Sequence, residues 1–188
     1  MLTAIAGRRG TGQSGMTMLE VLITLVILAF GLLGLAGLNI KIQMLEMEAY
    51  QRAQGILLLN DMVRRIQANS ADAAGYLSNP ATCPASPTTQ AGRDLCDWVN
   101  ALEGAAESSS GTRVGAMIGA RGCIAQLQAP DPTTGVCRPG MYRVTVAWQG
   151  MGATAAPSLT CGQGQYGSDD ALRRAIANDL VIGLPACL

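Results

Sequence analysis

From Val21 to Ile40 the chain runs for twenty residues without a charged side chain. As a helix this stretch rises about 30 Å, the thickness of a bilayer's hydrocarbon core. Thr24 and Asn39 are its only clearly polar members, and a helix satisfies its own backbone groups. The segment can span a membrane. Residues 1–15 hold Arg8 and Arg9 and no acidic residue, so the N-terminus is expected on the cytoplasmic side. A secretory signal would place a small-residue cleavage site after the apolar run. The run ends instead in Gly37-Leu38-Asn39-Ile40-Lys41, with no Ala-x-Ala beyond it. The expected processing point lies before it, between Gly15 and Met16, so that the apolar helix is kept.

Glu20 stands at the mouth of this span, where a carboxylate is costly and calls for a named partner. The plainer reading is an interfacial Glu at a helix start, favoured by the helix macrodipole. Gly15, then four residues, then Glu20, then an unbroken apolar helix resembles the class III leader of type IV prepilins and type II secretion pseudopilins. The resemblance covers about 25 residues and is specific in order and spacing. It implies cleavage between Gly15 and Met16 by prepilin peptidase and N-methylation of Met16, where most of the family carries Phe. It also implies that Glu20 pairs with the N-terminal amine of a neighbouring subunit and sets the axial register. Burial among apolar helices makes an unpaired carboxylate expensive, which is consistent with such a pair.

The chain has 188 residues, enough for one domain beyond an anchor. Loss of residues 1–15 would remove Arg8 and Arg9 and leave a side-chain net charge near −2. Arg64-Arg65 and Arg173-Arg174 are the only basic runs after residue 15, too little to argue for nucleic-acid binding. Six cysteines, Cys83, Cys96, Cys123, Cys137, Cys161 and Cys187, all follow the span, as expected if that side faces an oxidising compartment. They allow fifteen pairings. Short loops close easily, which makes neighbour pairing the expectation: Cys83–Cys96, Cys123–Cys137 and Cys161–Cys187. A zinc site would usually show Cys-x-x-Cys or histidine; the chain has neither, so neither a metal nor a cofactor is expected. Without histidine, Ser-His-Asp and Cys-His catalysis are closed. Asp169-Asp170 reads as a turn or helix cap. No catalytic constellation is visible, so no enzyme is expected.

Ile42, Leu45, Ala49, Ala53, Ile56, Leu59, Val63 and Ile66 recur at steps of three and four, one apolar stripe of a continuing helix. No proline interrupts Met16 to Gln67, so one helix of about 80 Å is expected, with a soft point at Gly31, Gly34 and Gly37. Its first half would lie in a membrane or a filament core, and its second half would bury the stripe on a globular head. Residues 69–94 read as a surface loop held by a cysteine, with turn signals at Asn79-Pro80 and Cys83-Pro84. A short helix is expected over Asp94–Leu102, with Asp94 as N-cap and Trp98 as a core anchor. Gly104–Gly111 reads as a Ser-rich loop. Gly122–Gln128 is a candidate strand, and Ala129–Gly140 is rich in turn residues. Met141–Gln149 alternates Tyr142, Val144, Val146 and Trp148 against Arg143, Thr145 and Gln149, a half-buried strand. A last strand is expected from about Ala175, after a turn of helix at Asp169–Arg173.

The strings Ala29-Phe30-Gly31-Leu32-Leu33-Gly34-Leu35-Ala36-Gly37-Leu38 and Tyr142-Arg143-Val144-Thr145-Val146-Ala147-Trp148-Gln149-Gly150, with Cys161-Gly162, resemble minor pilins of the PilV (type IV pilus modification protein) group. That resemblance implies the α+β pilin fold, a long N-terminal helix on a small antiparallel sheet. The expected division is a leader at 1–15, a membrane or filament-core half of the helix at 16–40, an amphipathic half at 41–68 and a periplasmic head at 69–188. The implied function is initiation of type IV pilus assembly, serving twitching motility and adhesion. The implied partners are prepilin peptidase, other minor pilins, the major pilin and, as a further candidate, a tip adhesin. The chain would sit in the inner membrane and then in the pilus. A type II secretion pseudopilin shares the leader, but tends to be shorter with fewer cysteines. A single-span periplasmic enzyme or binding module is the reading from another class.

Overall fold

The computed structural model describes residues 15–104, 108–109, 112–113 and 117–184. Helix α1 runs unbroken from Met18 to Ala68, so the three glycines do not interrupt it. A 3-10 segment, Ser70–Tyr76, and helix α2, Gln90–Leu102, follow. Two short strands, β1 (Ser108–Ser109) and β2 (Thr112–Arg113), pair with each other in what reads as a loop from sequence; the rest of 105–116 lies outside the described residues. Strands β3 (Ile118–Gln128), β4 (Gly140–Gln149) and β5 (Arg173–Ile182) form an antiparallel sheet in the order β3-β4-β5. A long apolar N-terminal helix, a three-stranded antiparallel sheet and disulfides make an α+β pilin fold. The chain divides into two compact units at Gln43/Met44.

In the second unit Leu59, Met62, Val63 and Ile66 of α1 join Leu95, Trp98 and Leu102 of α2, and Tyr142, Val144, Val146 and Trp148 of β4, in one core. Trp98 is fully buried and its indole N–H donates to the Leu58 carbonyl at 2.8 Å, so it is a core anchor. Gly122 of β3 makes room for that ring: an added Cβ would collide with the Trp98 ring and come within 2.9 Å of Leu102 Cδ1.

Only part of the apolar stripe meets this core. Leu59, Val63 and Ile66 are buried, whereas Ile42, Leu45, Ala49, Ala53 and Ile56 are exposed. Between residues 48 and 58 the buried positions are Gln51, 1% exposed, and Gly55. Gly55 is small enough for Trp148 and Ile176 to close on the helix; a Cβ there would sit 3.1 Å from the Trp148 ring. Side-chain volume, rather than hydropathy, selects this face, because a bulky sheet residue needs a shallow partner.

Helix α2 begins four residues before the expected start. Thr89 is its N-cap, its hydroxyl accepting from the Gly92 N–H at 3.0 Å. Asp94 is therefore not a cap. Its buried carboxylate faces inward and accepts from Tyr76 Oη at 2.5 Å, Arg65 Nη1 at 3.0 Å and Gln90 Nε2 at 3.0 Å. Burial, and then the bond to Asp94, push the Tyr76 phenol up to about 12. A proton held more tightly in the folded state stabilises fully below the unfolded value near 10, and that contribution is lost as pH rises through the folded value. Stability is thus expected to fall between about pH 10 and 12, and Tyr76→Phe to cost about 1–3 kcal/mol while flattening that alkaline limb. Denaturant titrations at pH 7, 10 and 11.5 read both effects; an unchanged alkaline limb in the variant would assign the pH dependence elsewhere.

Cys83 pairs with Cys96, as neighbour pairing expects, but Cys123 pairs with Cys161. The Cys123–Cys137 and Cys161–Cys187 pairings are thereby corrected. Cys137 is disulfide-bonded, and Cys187 lies outside the described residues. Sheet register explains the change. Cys123 stands opposite Thr145, five residues into β4, while Cys137 sits in the β3–β4 connection. At about 3.3 Å per residue the two are separated by roughly 17 Å along the hairpin, far beyond the Cα spacing a disulfide tolerates. The Cys123–Cys161 bridge pins the segment between β4 and β5 over Thr145 and Ala147, with Tyr166 beside it. The strand that reads as half-buried is consequently covered on both faces.

Candidate functional site

Gly15, Met16 and Thr17 precede the first helical residue, Met18. A Cβ at Gly15 would meet nothing within 4 Å, and Met16 is 71% exposed. Thr17 caps α1: its hydroxyl accepts from the Glu20 N–H at 3.3 Å, and its carbonyl accepts from Glu20 N at 3.0 Å and Val21 N at 3.3 Å. Thr17-x-x-Glu20 has the capping-box spacing, the local signal for this cap in the sequence. Glu20 lies in the first helical turn, where the macrodipole favours negative charge, and it is exposed. Among the described residues its carboxylate has no side-chain partner.

From Val21 to Ile40 every position of α1 is exposed, including Leu22, Leu25, Phe30, Leu33 and Leu35. The helix is long and apolar enough to cross a membrane, and none of its most apolar window is buried. A soluble helix keeps one polar side; this one is apolar all round and requires lipid or other apolar helices. Thr24 hides its hydroxyl by donating to the Val21 carbonyl at 2.8 Å.

The described residues of the second unit show no chemistry of comparable definition. Among the described residues no group of three His, Cys, Asp or Glu side chains could hold a metal ion. Asp169 accepts from the Ala171 N–H at 3.2 Å, a turn bond. Asp170 is buried, takes a left-handed backbone conformation with φ 55°, and accepts from the Gly164 N–H at 2.8 Å. The expected helical turn at 169–173 is thus a non-helical turn, and β5 starts at Arg173.

The two consecutive arginines that open β5 point to opposite faces. Arg173, 3% exposed, donates to the carbonyls of Pro157 at 3.0 Å, Cys161 at 3.1 Å and Leu159, and its Nε stands 3.2 Å from Asp170 Oδ2. Arg174 pairs with Glu48 of α1 at 2.6 Å and donates to Thr154 Oγ1 at 2.6 Å and the Gly152 carbonyl at 2.8 Å. What reads as a basic run is a pair of internal clamps on residues 150–172. A groove of about 750 Å³ opens between Pro80–Cys83, the end of α2 and Met117–Gly122.

The chain matches the prokaryotic N-terminal methylation motif over residues 10–36, which include Gly15, Met16 and Glu20. No curated protein and no solved structure matches it. The motif is that of a pilin or pseudopilin processed by prepilin peptidase, a structural subunit that assembles with others of its kind, and with the exposed apolar helix it indicates membrane anchoring.

Proposed function

We propose that this chain is a minor pilin of the PilV group. Made as an inner-membrane prepilin, it is cut between Gly15 and Met16, N-methylated on Met16, and joined with other minor pilins and the major pilin in the complex that initiates a type IV pilus. The observation that carries the reading is the order of Gly15, Met16 and Glu20 at the opening of a helix whose apolar surface is exposed on all sides. Residues 1–15 are the leader, 16–40 the membrane and later filament-core segment, 41–68 the helix that carries the head, and 69–188 the periplasmic head. Glu20 receives the charged N-terminal amine of a neighbour, which sets axial register because neither charge tolerates an apolar bundle alone. The six cysteines, Cys83, Cys96, Cys123, Cys137, Cys161 and Cys187, staple the head in an oxidising compartment. Prepilin peptidase and a tip adhesin complete the proposed partners, and twitching motility and adhesion the proposed output.

Intact mass and N-terminal sequencing of the protein from membranes of a cell with its native peptidase test this reading. The expected chain begins at N-methyl-Met16; one that still begins at Met1 would overturn it. The type II secretion pseudopilin gives the same mass, so co-isolation with pilus or secretion components separates the two.

A further inference from the structure

The free edge of β3 is paired for only part of its length. Ser78 and Ile124 exchange backbone hydrogen bonds at 3.1 and 2.8 Å, and the Ala81 N–H donates to the Gly122 carbonyl at 2.7 Å. In an antiparallel strand the N–H and C=O of one residue point to the same side, so the Gly122 N–H also faces away from β4. Pro80 has no N–H with which to extend the ladder, and the Gly122 N–H has no partner among the described residues. Past Ala81 the two backbones part round the 750 Å³ groove, with Thr82 on one wall, Ile118 and Ala120 on the other and the end of α2 on the third side. An open strand edge beside such a groove is the setting for strand addition, in which backbone bonds give affinity and side-chain contacts give selectivity. Gly119, Ala120 and Gly122 are small enough for a second backbone to come close. Of the lining residues only Glu103 and Arg121 carry charge, one of each sign, while Val99, Leu102 and Met117 are apolar. An occupant with net charge of either sign gains nothing there, and burying its charge would be costly.

We propose that this groove takes an extended, uncharged segment of a partner protein, which adds to the open edge of β3 and accepts a hydrogen bond from the Gly122 N–H. Its apolar side chains lie against Val99 and Leu102. The bridge at Ser78 and Ile124 shows the same edge already accepting an antiparallel neighbour a few residues further on, so the added segment continues a ladder that has begun. The head alone supplies every contact, and the inference is independent of the pilus reading.

The probe is the end-capped pentapeptide Thr-Val-Thr-Val-Thr, titrated into the isotope-labelled full chain in detergent micelles and followed by NMR. Saturable shifts at the Ala120 and Gly122 amides are expected, with slower hydrogen exchange of the Gly122 N–H in the complex. The analogue Thr-Pro-Thr-Pro-Thr lacks alternate N–H groups and should bind at least about tenfold more weakly. Asn100→Phe and Thr82→Trp fill the groove from α2 and from the opposite wall, and each should weaken binding of the first peptide at least about tenfold. Thr82 is exposed and Asn100 half-buried, and an unchanged thermal transition of the head confirms that each variant folds. Absence of saturable binding overturns the proposal, as do shifts confined to residues outside the groove or an affinity indifferent to both substitutions. Equal affinity for the proline analogue would also overturn it, because capture would then owe nothing to the strand edge.

Discussion

Glu20→Ala is expected to be cut normally between Gly15 and Met16 and inserted in the membrane, yet to enter the assembled complex at least about tenfold less than the natural chain. Gly15 stands in open space and Met16 outside the helix, so the bond to be cut does not depend on the Glu20 side chain. The Thr17 hydroxyl that caps α1 accepts from the backbone N–H of residue 20, which alanine retains, so the helix start also survives. What disappears is the carboxylate. The partner's amine would then be buried among apolar helices without a counter-charge, a loss of about 3–5 kcal/mol for one member of a buried pair. At about 1.4 kcal/mol per factor of ten, that leaves room for losses well beyond tenfold. Glu20→Asp keeps the charge and shortens its reach, and should fall between the two. The readout is the fraction of mature subunit in sheared filaments against the membrane pool. Wild-type incorporation of Glu20→Ala would remove the register role from this residue.

Arg173→Met is expected to destabilise the head by about 3–5 kcal/mol, a large share of a small domain's total. The guanidinium is 3% exposed and serves three carbonyls, of Pro157, Leu159 and Cys161, together with the Asp170 carboxylate. Methionine fills similar volume but leaves Asp170 buried without its counter-charge and the carbonyls without donors. Adding Asp170→Asn should recover part of the loss by removing the uncompensated charge. Trp98 and Trp148, both in the core, report unfolding by fluorescence in a urea titration of the full chain in detergent. A loss under about 1 kcal/mol would mean that water replaces the guanidinium at little cost. The Cys123–Cys161 bridge should remain closed in the variant, because it tethers the same segment independently.

The features legible in advance share a local cause. An uncharged run of twenty residues specifies a lipid- or helix-covered helix whatever the rest of the chain does. The step from Gly15 to Glu20 is a spacing of five residues, and both lie within the match over residues 10–36. Tyr142, Val144, Val146 and Trp148 share one face because strand geometry has a period of two.

Tertiary structure decided what depends on distant residues meeting. Hydropathy alone assigns Leu45, Ala49, Ala53 and Ile56 to the core, yet the sheet chose the side of Gln51 and Gly55, because Trp148 needs a residue small enough to pack over. Loop entropy alone pairs Cys123 with Cys137; the register of β3 on β4 pulled those two apart and brought Cys161 over Thr145 instead. Asp94 looks like a cap only until Arg65, Tyr76 and Gln90 converge on it, and Arg173 looks like surface charge until the carbonyls of a loop close round it. Local pattern determined the exposed apolar helix, the methylation motif at its start and the period of each element. Volume matching, strand register and the pairing of buried polar groups, which act between residues tens of positions apart, determined which face, which partner and which bridge.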